Sequence, residues 1–182
     1  VGSASDTDAI TISSGGAVTF SQDISTADGK SLSIVDNSYI KLGGSRPADD
    51  EPDSNAEGYG VVVLFDAAAA IAIGDAVYVD SNGRVNKADA TVGSVTAPCI
   101  GIATTAAGSA DDDVYVLTHG VFRFDSWAFD AGQPVYVGEG GTTGTLTKTA
   151  PTSDGDYVQR VGIAVKDDVL LVMPSVDVVE HA

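Results

Sequence analysis

The sequence predicts an all-β protein: a short N-terminal segment of β-strands, arm- or shaft-like, followed by a barrel- or sandwich-like domain built from two pseudo-repeats. Composition is the first reason. Val, Ile and Ala outnumber the other apolar residues, and 21 glycines are spread among 182 residues. β-Branched side chains suit a pleated surface, and glycine suits the turns between strands. Periodicity is the second reason. Short runs alternate apolar and polar residues, as a strand with one buried face requires. The third is a block of residues that recurs in order, described below.

Residues 1–43 read as the arm or shaft. Ala9-Ile10-Thr11-Ile12 and Ala17-Val18-Thr19-Phe20 flank the turn sequence Ser13-Ser14-Gly15-Gly16. Ser31–Val35 follows Asp28-Gly29, and Tyr39–Leu42 follows Asp36-Asn37. Ile10 and Val18 stand eight apart, as do Ile24, Leu32 and Ile40. Strands this short bury little by themselves. They need a partner, either the rest of the chain in a folded-back meander or identical copies wound together. Residues 44–58, with Pro47, Pro52 and five acids, read as an acidic linker and the domain boundary.

The main domain is expected over 59–182. Val61–Phe65 is a continuous apolar run, the pattern of a strand buried on both faces. Further strands are expected at Ala76–Val79, Ile100–Thr104, Val114–Thr118, Val121–Phe124, Pro134–Val137, Tyr157–Val165 and Val169–Met173. Asp66–Ala70 has helix propensity for at most a single turn. Within this domain Gly74-Asp-Ala-Val-Tyr-Val matches Gly132-Gln-Pro-Val-Tyr-Val, and Gly101-Ile-Ala matches Gly162-Ile-Ala. The strands that follow, Asp113–Leu117 and Asp168–Val172, correspond too. The order predicts two halves, about 59–125 and 126–182, closing one barrel-like core.

Charge excludes some functions. Nine basic residues against 26 acidic ones give a formal net charge of -17. Such a surface repels phosphates, so neither nucleic acid nor an anionic membrane is an expected partner. It also favours solubility on an exposed particle surface. Cys99 is the lone cysteine, so no intrachain disulfide forms. The sequence starts Val1-Gly2, consistent with processing or with a portion of a longer product, and contains no apolar stretch of membrane-helix length.

Catalytic signals are weak. His119 and His181 are the two histidines, and a Cys99–His119 dyad competes with a buried, inert thiol. No Gly-x-Ser-x-Gly or His-Glu-x-x-His motif is present, and no pair of acids is singled out for glycoside cleavage. The glycine run Gly138–Gly144 lacks the lysine and following helix of a phosphate loop and reads as a hairpin turn. Asp80, Asn82 and Gly83 resemble the start of a calcium loop without its closing acid. Asp111–Asp113 and the acids of 49–57 are candidates for a structural calcium between subunits, with solvated turns as the plainer expectation. No catalytic, cofactor-binding or metal-ligating residue is therefore assigned. The interface or binding candidates are the aromatics Phe122, Phe124, Trp127 and Phe129, expected either to fill the core or a subunit contact or to stack on a sugar.

The stretch Gly74–Val85, followed by Cys99-Ile-Gly-Ile-Ala and Val114–Gly120, resembles β-barrel domains of tailed-bacteriophage virion proteins. Head-decoration proteins and fibre or tail-associated domains carry such barrels. Asp8–Phe20 resembles the repetitive strands of phage fibre shafts. The resemblance implies a non-enzymatic structural protein, often trimeric, that stabilises or decorates a capsid or forms part of a fibre. It implies assembly in the bacterial host cytoplasm onto the virion surface, with the major capsid protein or other virion proteins as partners. Two alternatives stand beside it: a receptor- or glycan-binding module at a fibre tip, and a subunit of a microbial surface filament to which residues 1–20 or 174–182 would add strands.

Overall fold

Valine-rich runs punctuated by glycine form antiparallel strands in the computed structural model, which describes residues 11–12, 18–19, 56–91, 98–139 and 143–182, with no helix among these described residues. The chain divides into two units, Val1–Lys41 and Leu42–Ala182. In the first, β1 (Thr11–Ile12) pairs antiparallel with β2 (Val18–Thr19), with Ile12 opposite Val18. Both lie within strands expected from the sequence, Ala9–Ile12 and Ala17–Phe20. The expected strands at 31–35 and 39–42 lie outside the described residues, as does most of the expected linker.

In the larger unit the strands are β3 (Ala56–Asp66), β4 (Ala76–Val79), β5 (Val85–Lys87), β6 (Cys99–Ala103) and β7 (Asp113–Phe124). They continue with β8 (Pro134–Val137), β9 (Leu146–Thr147), β10 (Tyr157–Val158), β11 (Arg160–Ala164), β12 (Val169–Val172) and β13 (Val179–Glu180). The main sheet runs β5-β4-β6-β7-β12-β11-β8-β9, with β3 added on β7. That order is palindromic: β5-β4-β6-β7 is mirrored by β9-β8-β11-β12.

The correspondence extends to single residues. Ala76 faces Ile102 and Val77 faces Gly101, then the register shifts so that Tyr78 faces Cys99. In the second half Pro134 faces Ile163, Val135 faces Gly162, and after the same shift Tyr136 faces Arg160. A bulge thus recurs at the same place in both repeats. The glycine beside it is required by close approach. A Cβ on Gly101 would stand 2.3 Å from the Leu117 carbonyl oxygen, and one on Gly162 would stand 2.1 Å from that of Leu171.

The sheet curls into a half-barrel, and backbone bonds tie its two ends together. Gly144 N–H donates to the Ala88 carbonyl at 2.7 Å, and Ala90 N–H to that of Gly138 at 2.9 Å. Inside lie two apolar clusters. One joins both halves through Ile102, Leu117, Phe122, Val135, Val161 and Leu170. The other, around Ile71, Val77, Val85, Val114 and Val116, belongs to the first half. Fully burying each such side chain contributes about 1.5–3 kcal/mol.

Three expectations change. Val114–Thr118 and Val121–Phe124 are one strand, β7, because His119 and Gly120 continue its pairing with β3. Tyr157–Val165 is two strands, split at Gln159 and paired to different partners: β10 with β13, β11 with β8 and β12. The third change is the largest. Val61–Phe65 is not buried on both faces: Val61 is 50% exposed and Leu64 48%. β3 pairs with β7 along its whole length, but no described strand lies on its other edge. Its outward run then ends without a helix, since Ala67 bridges to Val85 in extended form.

Candidate assembly surface

Phe122 and Phe124 close β7, and the turn that follows brings back Trp127, whose N–H donates to the Phe124 carbonyl at 3.0 Å. The Trp127 ring meets Phe122 at 5.6 Å and Phe124 at 5.7 Å, both edge-on, and lies 5.1 Å from Phe129. Phe122 and Phe129 are buried, while Phe124 and Trp127 are half-buried. The four rings therefore form one cluster where the first half passes into the second, packed on the shared core. Backbone bonds from Phe124 to Asp168 and from Phe129 to Asp167, 2.9 and 2.8 Å, tie this passage to the turn before β12.

Arg123, between the two phenylalanines, is 3% exposed. Its Nε lies 3.0 Å from Asp168 and its Nη2 2.8 Å from Asp125. Burial of a guanidinium needs such carboxylate partners. Gln159 was not foreseen as a structural residue. Its side chain, 2% exposed, accepts from Cys99 N–H at 2.7 Å and donates to the carbonyls of Cys99 and Ser175 at 3.0 and 2.6 Å. It thereby clamps β6 to the segment after β12. A lone glutamine in Tyr-Val-Gln-Arg-Val gives no local sign of this.

The other candidates are occupied by the fold. Asp80 Oδ1 accepts from the N–H groups of Asn82 and Arg84, at 2.8 and 3.0 Å. These bonds, that from Arg84 foremost, hold its carboxyl below the usual carboxylate range. Arg84 also pairs with Asp111 at 3.0 Å, and Asp112 Oδ2 accepts from the N–H groups of Gly108 and Ser109. Among the described residues no three His, Cys, Asp or Glu side chains gather as metal ligands would. Cys99 is buried, and burial pushes its thiol up to about 12. The thiol donates to the Gly101 carbonyl, whereas His119 is exposed on β7. Beside β9, Glu139 and Thr145, Thr147, Thr149 and Thr152 line a cavity of about 280 Å³ open to solvent.

The remaining feature of the surface is apolar. Tyr59, Val61, Val62, Val63 and Leu64 of β3 are all exposed, and so is Tyr115 of β7, which faces Leu64. At the middle of this ribbon Gly60 faces Gly120, with φ of 154° and 147°. These angles belong to glycine. A Cβ on Gly60 would meet the His119 carbonyl at 2.0 Å, and one on Gly120 that of Tyr59 at 2.1 Å. Here the ribbon passes from the β6-paired half of β7 to the β12-paired half.

A family model described as phage cement protein matches residues 5–117. The chain belongs to the phage cement protein family. The matched region runs through the N-terminal segment, β3 and the first repeat into the middle of β7. None of the curated proteins compared with the chain matches it. Membership in the cement family makes the chain a bacteriophage structural protein with a capsid-stabilising role. It also implies association with capsid proteins and a location in the virion.

Proposed function

We propose that this cement protein decorates the outer face of a phage capsid as a homotrimer, assembling on it in the host cytoplasm without catalysing a reaction and without a cofactor. The family match over residues 5–117 carries this reading. Charge supports it, since a net charge of -17 suits the solvent side of a particle rather than the side that faces packaged nucleic acid. The major capsid protein is the expected partner, with the N-terminal segment as an anchor or an arm between copies. A glycan-binding tip would need Trp127 presented for stacking, and its contacts with Phe122, Phe124 and Phe129 favour a packing role instead.

The test is reconstitution. Capsids prepared without the protein are incubated with the purified chain, then sedimented and heated, with and without a chelator. Saturable co-sedimentation at a multiple of three copies per site and a higher disruption temperature are expected, unchanged by chelation. A chain that stays in the supernatant, or binds without raising that temperature, would sink the proposal.

A further inference from the structure

β3 has the composition of an interior strand in an outside position. Tyr59 is 38% exposed, Val62 44%, Val63 38% and Tyr115, across from Leu64, 47%. Antiparallel pairing engages alternate backbone groups, so about half of the N–H and C=O groups of β3 point away from β7. Natural folds protect such an edge with charge, proline, shortness or a covering element. β3 is eleven residues long, and residues 58–65 contain no Lys, Arg, Asp, Glu or Pro. Among the described residues no strand covers the edge.

We propose that a second copy of this chain covers β3, extending the sheet at its free edge and burying the apolar face that it shares with Tyr115. The inference rests on the homo-oligomer proposed above and names its contact surface. Charge selects the occupant. Two copies of a chain with net charge -17 repel over most approaches. Residues 58–65 and 114–122 contain no carboxylate, so copies meeting through the middle of this ribbon, between Glu57 at one end and the facing Asp66 and Asp113 at the other, bring none from it into the contact. Leu171, in register with Val121 and 37% exposed, lies on the opposite face of the sheet, beside Tyr59. In a trimer each contact is heterologous, the ribbon of one copy meeting a different surface of the next, so every ribbon is covered once and the run Val61–Phe65 gains in the assembly the burial it would have inside a domain.

The experiment uses the full chain. Mass in solution is measured by light scattering for the parent, for a Val62→Lys/Leu64→Lys double variant, and for Val165→Lys as an exposed apolar control at 41% exposure. The expected result is an oligomeric parent and control, and a double variant at monomer mass with an unchanged far-ultraviolet circular dichroism spectrum. Hydrogen exchange on the unmodified parent gives a second readout independent of substitution. Amides of 59–65 should exchange at least tenfold more slowly above the assembly concentration than below it. A monomeric parent, a double variant of unchanged mass, or exchange in β3 that ignores concentration would overturn the inference. A monomer that still stabilises capsids would remove this contact and leave the decoration reading standing. A trimer that binds no capsid would do the reverse.

Discussion

The two halves of the larger unit begin alike and finish differently. Each opens with a turn whose glycine, Gly74 or Gly132, donates to the alanine carbonyl closing the Gly-Ile-Ala strand, at 2.9 and 2.7 Å. Each then places its bulge and its close-packed glycine at the same register position. The strands that end the halves diverge. β12 stops after four residues, whereas β7 runs for twelve and carries β3 along one edge. The second half holds Gln159 and Asp168, whose contacts reach back to Cys99 and Arg123 in the first. The two repeats together form the curled core. The longer β7, with β3 beside it, carries an apolar surface outside that core.

The glycines beside the bulges test the equivalence most severely. Gly101→Ala and Gly162→Ala should each cost about 3 kcal/mol, because the added methyl meets backbone that cannot retreat. Urea unfolding gives both values, and a difference of more than about 1 kcal/mol would break the equivalence. Next come Leu117 and Leu171, matched in register against Ile102 and Ile163 but 0% and 37% exposed. Leu117→Ala should cost about 3 kcal/mol and Leu171→Ala less than about 1 in a monomer. Similar losses would mean that Leu171 is already covered.

Gln159→Leu leaves the N–H and carbonyl of Cys99 without their partner and should cost about 2 kcal/mol by thermal unfolding. An unchanged midpoint would show that the halves hold together without this clamp. The smallest effect concerns Asp75, which stands where the second half has Gln133. Burial raises its carboxyl above the usual 3.8, opposed by the bond from Ala72 N–H and by Lys87. A raised folded value means that the ionised form costs stability at neutral pH, a cost that fades as pH falls through the folded value toward 3.8. Asp75→Asn should therefore be slightly more stable than the parent near pH 7, with the gap closing on acidification. A gap that widened on acidification would mean that Lys87 and Ala72 outweigh burial.

Much of the architecture was legible because its signals are local and repeated. Val-Tyr-Val and Gly-Ile-Ala blocks in the same order gave the palindromic sheet a trace in the chain itself. The period-two spacing of Phe122 and Phe124 marked a face that packs on the core. Arg123 between them carried a readable hint, since a lone cation among aromatics, next to Asp125, needs partners if it is buried. Gln159 carried none, because its partner Cys99 is sixty residues away in sequence. His119-Gly120 looked like a break in β7, and only the opposite glycine, Gly60, lets the strand continue there.

The sequence alone determined the class of fold, its two-fold repetition and the short strands at Thr11–Ile12 and Val18–Thr19, because side-chain branching and alternation act over a few neighbouring positions. Where the run Val61–Phe65 would lie was decided by tertiary structure. Its apolar composition requires burial but cannot say which surface supplies it, and β7 offered β3 one edge while no described strand takes the other. Burial depends on which distant segments arrive beside a strand. The chain can encode that requirement locally, and here a single copy meets only part of it.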